Sequence, residues 1–245
     1  RKLIQCWIRY FNDIFSISTY EKIISIFLII YMNNLIFVFI ISLFMFFFVH
    51  SFFNMYKENF DKQNNIILIG DSILENSNYV EKYFSVESSI KKKHYNVINL
   101  AQDNAVIEQI STQIKFLQQK KLDKKDIVFI SVGGNNILNS YRFRKKNNNK
   151  VLNSIFQKYT KTILNIKNYI PNKLVLLNIY LPPNVKDFHP LIKLWNKKQQ
   201  KFASTNNFKI LDINTLMNNK NYFIKDIEPS NDGGRVIANA IIKSI

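Results

Sequence analysis

The chain has 245 residues and a formal net charge of +17, with 34 basic against 17 acidic side chains. This length is enough to bury one well-formed domain and to carry an extension, but it argues against two full domains. The basic residues lie in loops and on expected helix faces alike, and no nucleic-acid-binding motif accompanies them, so nucleic acid is not an expected partner. Two alternatives are attraction to an anionic surface or polymer and simple drift in composition.

The single cysteine, Cys6, excludes an internal disulfide bond. It lies far from the rest of the chain's polar motifs, in an N-terminal extension, so we do not expect a catalytic cysteine. The histidines show no cluster with metal-ligand spacing. We therefore expect neither a metal ion nor another cofactor.

The first long feature is an apolar run near the N-terminus, within which Leu35–Phe53 alone is long enough to cross the core of a bilayer. No small-residue cleavage site follows it, which favours a permanent anchor over a secretory signal peptide. We predict a flanking segment at 1–22, a single transmembrane helix at 23–53 and a linker at 54–63. The remaining residues, 64–245, form the predicted C-terminal domain.

The charges on either side of the predicted span indicate its orientation. Four basic residues precede it: Arg1, Lys2, Arg9 and Lys22. After it, Lys57 and Lys62 are balanced by Glu58 and Asp61. The positive-inside rule then favours a cytoplasmic N-terminus and a C-terminal domain on the non-cytoplasmic side of the membrane.

The C-terminal domain contains five apolar runs of strand length, separated by segments of helix length. The runs are Asn65–Ile69, Asn96–Leu100, Ile127–Val132, Leu174–Tyr180 and Phe208–Ile213. The helical segments are Glu75–Lys93, Val106–Lys120, Val151–Tyr169, His189–Ala203 and Gly233–Ile245. This alternation predicts a flavodoxin-like three-layer α/β/α sandwich around a five-stranded parallel sheet.

Polar or turn-forming residues follow the ends of these runs. They are Gly70-Asp71-Ser72, Asn99–Ala105, Gly133–Asn136 and Leu181–Pro183, and residues 225–230 precede the last helix. Because the carboxyl ends of parallel strands meet at one edge of a sheet, we expect these groups to share one crevice.

Each group also has a purely structural interpretation. Asp71 and Ser72 suit a helix cap, and Gly133–Asn135 suits a turn. Glu228 and Asp232 suit the positive end of the last helix dipole. Their joint occurrence at successive strand ends favours a functional site.

Over about residues 64–245 the chain resembles the SGNH hydrolase superfamily, also called GDSL-type esterases. Gly70-Asp71-Ser72 resembles the first family block and Gly133–Asn136 the third. The resemblance implies that Ser72 is a nucleophile and that the Asn135 side chain stabilises an oxyanion. The backbone N–H groups of Ser72 and Asn104 would complete the oxyanion hole, Asn104 standing where the family has glycine. Asp71 and Gly134, from the same blocks, would lie at the substrate.

The final family block departs from its usual pattern. The family has Asp-x-x-His before the last helix, whereas here Glu228 stands in the histidine position and Lys225 in the aspartate position. Asp226 lies one residue after the family's aspartate position. His189, which follows Pro182 and Pro183, is a candidate substitute base. Glutamate is ordinarily a weaker base than histidine, so Glu228 would need a buried setting that raises its pKa.

We therefore expect a membrane-anchored serine ester hydrolase or O-acyl transferase acting on an acylated glycan or lipid. Glu228, with Asp226 or His189, would assist proton transfer. One alternative is a catalytically impaired module that binds an anionic glycan or lipid in the same crevice. Another is that the chain is the C-terminal domain of a longer, multi-span acyl transferase that extends before Arg1.

Overall fold

The structure is a computed structural model that describes residues 2–14, 17–61, 65–120, 122–144, 149–170 and 173–245. The chain forms two compact units, residues 1–62 and 63–245. The predicted boundary between linker and domain, at residues 63 and 64, lies outside the described residues.

The N-terminal unit consists of two helices, α1 (Lys2–Ile14) and α2 (Ile17–Asp61). Within α2, the stretch Glu21–Phe53 is long and apolar enough to cross a membrane, and none of it is buried in the protein. Two of its hydroxyl groups, those of Ser25 and Ser42, donate to backbone carbonyls three residues earlier at 2.8 Å. They therefore present no unpaired donor to an apolar surrounding. The helix also continues through most of the predicted linker.

The C-terminal unit is built on a five-stranded parallel sheet. Its strands are β1 (Asn65–Gly70), β2 (Asn96–Asn99), β3 (Ile127–Ser131), β4 (Lys173–Leu177) and β5 (Lys209–Leu211). They lie in the order β2-β1-β3-β4-β5, and every neighbouring pair is parallel. This confirms the predicted sheet and its doubly wound, flavodoxin-like order.

The remaining elements are helices and one short hairpin. The helices are α3 (Val86–Lys91), α4 (Ile110–Gln118), α5 (Gly134–Arg144), α6 (Asn149–Tyr169), α7 (His189–Asn206), α8 (Ile213–Leu216) and α9 (Asn231–Lys243). Short 3-10 helices span Ile107–Gln109, Lys186–Phe188 and Lys220–Tyr222. The hairpin pairs β6 (Phe223–Ile224) with β7 (Glu228–Pro229) in antiparallel fashion.

Helices cover both faces of the sheet, which explains why the central residues of its inner strands, such as Ile66–Ile69 and Ile127–Ile130, are apolar and buried. In β1, Ile67 and Ile69 pack in one core together with α4, α6 and α7. The alternate residues, Ile66 and Leu68, pack in a second core with α3 and α9. This is the period-two alternation of a strand buried on both sides.

The predicted helix Glu75–Lys93 is wrong for most of its length, since only Val86–Lys91 is helical. The preceding residues form turns, as expected of a segment rich in Asn and Ser, whose side chains compete for backbone groups. Asn76 does so directly: it is fully buried, and its side-chain oxygen accepts from the Val86 N–H at 2.9 Å. Helix α5 and the β6–β7 hairpin were not predicted.

Candidate active site

The strand order reverses between β1 and β3, and this is where open α/β sheets form a ligand crevice. Ser72 follows β1, and Asn135 lies in the first turn of α5, directly after β3. A pocket at this point is lined by five predicted site residues: Asp71, Ser72, Gly134, Asn135 and Glu228. The topology of the sheet thus brings together residues far apart in sequence.

The end of β1 is held by backbone contacts that fix where Ser72 lies. Gly70 has φ +138°, and a Cβ there would fall 1.7 Å from the Ser131 carbonyl oxygen, so only glycine fits. The buried Gln113 side chain accepts from the Gly70 N–H at 2.8 Å and donates to the Gly70 carbonyl at 2.9 Å. Sequence reasoning missed Gln113, whose only signal was a polar residue on the core-facing side of a predicted helix.

Glu228 is a carboxyl group in the same pocket as Ser72. It lies on β7 and is 6% exposed. Its Oε2 is buried and has no hydrogen-bond partner among the described residues. A buried carboxyl group that shares a pocket with a serine hydroxyl is a candidate proton acceptor for it.

Burial raises the pKa of Glu228 above its usual value. The Ser72 side chain opposes that rise, the negative charge of Asp103 adds to it, and the positive charge of Lys225 opposes it. The net rise in pKa makes Glu228 a stronger base than an exposed glutamate. As expected from the sequence, Glu228 needs this property if it is to replace histidine.

The hairpin that carries Glu228 is fastened on both sides of that residue. The Tyr180 hydroxyl donates to the Ile227 carbonyl at 2.8 Å, and the Asn76 side-chain amide donates to the Pro229 carbonyl at 3.4 Å. Between the two strands the chain turns through Lys225 and Asp226, both in the left-handed region with φ of 47° and 70°. These contacts fix the position of Glu228 in the pocket lining.

The predicted oxyanion donors are the Asn135 side chain and the backbone N–H groups of Ser72 and Asn104, and of these residues Ser72 and Asn135 line the pocket. The Asn135 amide donates one hydrogen to the Ala105 carbonyl at 3.0 Å, which leaves its second hydrogen unused. In the described part of the chain, no protein group accepts from the backbone N–H of Ser72 or of Asn104. Asn104 has φ 58°, the left-handed conformation that asparagine tolerates. It does not line the pocket itself, but it precedes Ala105, which Asn135 holds.

Asp71 is a second buried carboxyl group in the same pocket, 2% exposed. Its Oδ1 accepts from the Ser131 hydroxyl at 3.0 Å and from the Ile73 N–H at 3.3 Å. Burial raises the pKa of Asp71 to about 7, the two hydrogen bonds oppose that rise, and the negative charge of Glu228 adds to it. Asp71 therefore titrates near neutral pH.

Besides Asn104, two further predicted residues are not brought to the pocket, His189 and Asp226. The Nε2 of His189 lies 2.7 Å from the Pro182 carbonyl oxygen, and His189 does not line the pocket. Asp226 is exposed and accepts from the Asn184 amide at 3.0 Å. Asp103, which was not singled out from the sequence, accepts from the Tyr79 hydroxyl at 2.7 Å and acts electrostatically on Glu228.

The pocket also has an apolar wall, formed by Ile73, Ile137, Leu138, Ile179, Val185 and Ile192. These residues come from the turn after β1, from α5, from the segment after β4 and from α7. The catalytic candidates therefore border a surface that favours hydrocarbon groups.

The raised pKa of Asp71 predicts a pH-dependent stability. Because the folded state keeps this proton after the unfolded chain has released it, stability falls as pH rises from about 4 to about 7. We expect Asp71→Asn to raise the melting temperature at about pH 8 and to change it little at about pH 4. The shift from 3.8 to about 7 limits the gain to about 4 kcal/mol. Thermal melts of both proteins at the two pH values test this, and an equal difference at both would contradict it.

Comparison with known proteins places this geometry in a family. The family described as GDSL-like lipase/acylhydrolase matches residues 66–241. A GDSL-family lipolytic protein from Veillonella parvula superposes with a TM-score of 0.59 at 16% identity, covering 73% of this chain and 96% of that one. A protein from Desulfitobacterium hafniense, described as a putative lipolytic protein of the same family, superposes with a TM-score of 0.58 at 14% identity, covering 75% of this chain and 100% of that one.

The acetylxylan esterase Axe2 from Geobacillus stearothermophilus superposes with a TM-score of 0.56 at 16% identity, covering 74% of this chain and 93% of that one. Comparison with curated protein sequences gives no match. At these identities the superpositions establish the fold, whereas the family match extends over more than half of the chain. The chain belongs to the GDSL-like lipase/acylhydrolase family, known also as the SGNH hydrolases.

Proposed function

We propose that this protein is a serine ester hydrolase or O-acyl transferase in which Glu228 replaces histidine as the base for Ser72. The observation that carries the proposal is that Ser72, Asn135 and the buried Glu228 carboxyl group line one pocket. A serine hydroxyl becomes a good nucleophile when a neighbouring base takes its proton.

The reaction proceeds in two halves. Ser72 Oγ attacks the ester carbonyl carbon while its proton moves to Glu228, and the oxyanion accepts from Asn135 and from the N–H groups of Ser72 and Asn104. Collapse of this intermediate breaks the ester bond, and Glu228 returns the proton to the departing alkoxide. In the second half, water in a hydrolase or an acceptor hydroxyl in a transferase attacks the acyl carbon while Glu228 takes its proton. The bond to Ser72 Oγ then breaks, and Glu228 returns that proton to Ser72.

The substrate that we propose is an acyl ester on a glycan or lipid. The apolar wall beside Ser72 suits the acyl group, and the net positive charge of the chain suits an anionic carrier. Esterases of acetylated xylan share this fold. The membrane partner follows from α2, which we propose to be a single-pass anchor with the catalytic domain on the non-cytoplasmic side.

Lys225 and Glu228 stand where the family has aspartate and histidine. This difference from the family pattern also favours a second candidate, a module that binds an acylated ligand without hydrolysing or transferring its acyl group. In that case the pocket binds, and Ser72 is not activated. The two candidates differ in whether loss of the Ser72 hydroxyl abolishes chemistry.

The test is hydrolysis of p-nitrophenyl acetate by the full chain in detergent. We expect Ser72→Ala to lose all turnover above the rate in buffer, since it removes the nucleophile. Ser111→Ala, at an exposed serine on α4, is the matched control and should keep full activity. Equal turnover by Ser72→Ala and the unmodified protein would refute the proposal, and no turnover by the unmodified, folded protein would favour the binding module.

The proposed anchor makes a separate prediction. Membranes from cells that express the full chain should retain it after extraction with alkaline carbonate, because about 20 apolar residues suffice to hold a helix in the bilayer. Detergent should release it. Release by carbonate alone would exclude an integral anchor.

A further inference from the structure

Two buried carboxyl groups share the pocket with Ser72, and the reaction above uses only one of them. Asp71 directs Oδ1 to the Ser131 hydroxyl and the Ile73 N–H, and no described residue donates to its Oδ2. That Oδ2 lies 3.9 Å from where a Cβ of Gly134 would be, on the pocket lining. Glu228 likewise has one buried oxygen, Oε2, without a partner in the described chain. Each carboxyl group thus keeps one oxygen with no protein donor.

The charges around this pair favour retention of a proton. Asp103 adds a third carboxyl group that acts on Glu228, and its Oδ1 is buried without a partner among the described residues. The cation that acts on Glu228 is Lys225, which is exposed, with its Nζ 4.9 Å from the Tyr79 ring. The tyrosine hydroxyl groups of Tyr79 and Tyr180 are neutral and donate to Asp103 and to the Ile227 carbonyl.

We propose that Asp71 is a second proton-holding group of the active site: Asp71 and Glu228 ionise as a coupled pair, and Ser72 reacts when both are ionised. The inference rests on the proposed function. Two carboxyl groups in one buried site do not release their protons independently, because the first negative charge opposes the second. The pair then changes its charge near neutral pH, as a histidine does, although each member is a carboxyl group.

The protons balance at each step. Ser72 transfers its proton to Glu228 as its Oγ bonds to the acyl carbon, and Glu228 passes that proton to the departing alkoxide. Asp71 stays ionised throughout, and its negative charge makes Glu228 bind the proton more strongly. Asp71 acts through Glu228 and is therefore a positioning residue. Its raised pKa, about 7, agrees with this role.

The test is the pH dependence of labelling by a fluorophosphonate probe, measured on the full chain in detergent. For the unmodified protein we expect the labelling rate to rise with pH, with a midpoint at about 7. Asp71→Asn keeps an oxygen that accepts from Ser131 and Ile73 and removes the second charge. We expect its midpoint to fall by about one pH unit or more and its maximal rate to fall about tenfold, since Glu228 alone is a weaker base.

Ser131→Ala is the second variant and has the opposite expected effect. It removes a hydrogen bond that favours ionised Asp71, so the midpoint should move to higher pH. A purely structural role of Asp71 would not produce opposite shifts. If thermal melting shows that Asp71→Asn does not fold, the shift of the labelling midpoint in Ser131→Ala alone tests the proposal.

If the variants that fold keep the same pH midpoint of labelling, the coupled ionisation of Asp71 and Glu228 is overturned, whereas the activation of Ser72 is not. If the unmodified, folded protein does not label at any pH, the proposed function fails and the pairing fails with it. The two failures are therefore distinguishable.

Discussion

Replacement of Glu228 by glutamine should lower turnover of p-nitrophenyl acetate by about 10²- to 10⁴-fold, the usual contribution of a positioned base. Glutamine has nearly the same shape and keeps an oxygen that can accept a hydrogen bond, but it cannot take up the proton. Because the variant removes a buried, destabilised carboxylate, its melting temperature at neutral pH should not fall. A loss of activity without a loss of stability is the signature of a base.

Two other variants serve as controls for this result, because the sequence also offered Asp226 and His189 as participants. Asp226→Asn keeps an acceptor for Asn184, and His189→Gln keeps a donor for the Pro182 carbonyl. Since neither residue lines the pocket and both substitutes keep the hydrogen bond, we expect both variants to keep activity within about threefold. A large loss in either variant, with Glu228→Gln fully active, would reassign the base.

Replacement of Asn135 by alanine should lower the same turnover by about 10²- to 10³-fold, the cost of removing one oxyanion donor. The side chain supplies one hydrogen to the oxyanion and uses the other to hold the Ala105 carbonyl next to Asn104. The substitution therefore removes the Asn135 donor and also frees the loop that carries the Asn104 N–H. The loss should appear mainly in kcat, because the oxyanion exists only in the transition state and the intermediates.

The neighbouring Asn136 provides the matched control for that variant. Its side chain accepts from the Ile107 N–H at 3.0 Å and donates to Glu108 at 3.1 Å, so it fastens the same loop without lining the pocket. Asn136→Ala should keep most of the activity. Equal losses in the two variants would mean that Asn135 acts by holding the loop alone.

The sheet and two residues of the pocket, Ser72 and Asn135, were predictable from the sequence because local patterns specify the strands and the turns that follow them. Residues Ile66–Ile69 of strand β1 are apolar because both of its faces are buried, and the strand ends at Gly70, where a Cβ would meet the Ser131 carbonyl oxygen. Once the strand ends were known, the topology of a parallel sheet placed Ser72 beside Asn135.

The rest depends on contacts between distant segments, which no local pattern encodes. Glu228 was identified only by its place in a family block, and its raised pKa results from burial on a two-residue strand that was not predicted. Asp103 and Gln113 are ordinary polar residues in the sequence, and their roles arise from Tyr79 and Gly70 across the fold. The turn-rich segment before α3 misled the helix prediction for the same reason, since the side chain of Asn76 bonds across to Pro229.

The central claim is that Ser72 is an activated nucleophile paired with Glu228, and the most direct test is to locate a covalent adduct. The folded full chain would be treated with a fluorophosphonate at neutral pH, digested, and mapped by peptide mass spectrometry alongside Ser72→Ala and Glu228→Gln. We predict one adduct, on Ser72, which is absent from Ser72→Ala and strongly reduced in Glu228→Gln. No adduct on the folded protein, an adduct on another serine, or full labelling of Glu228→Gln would contradict the claim.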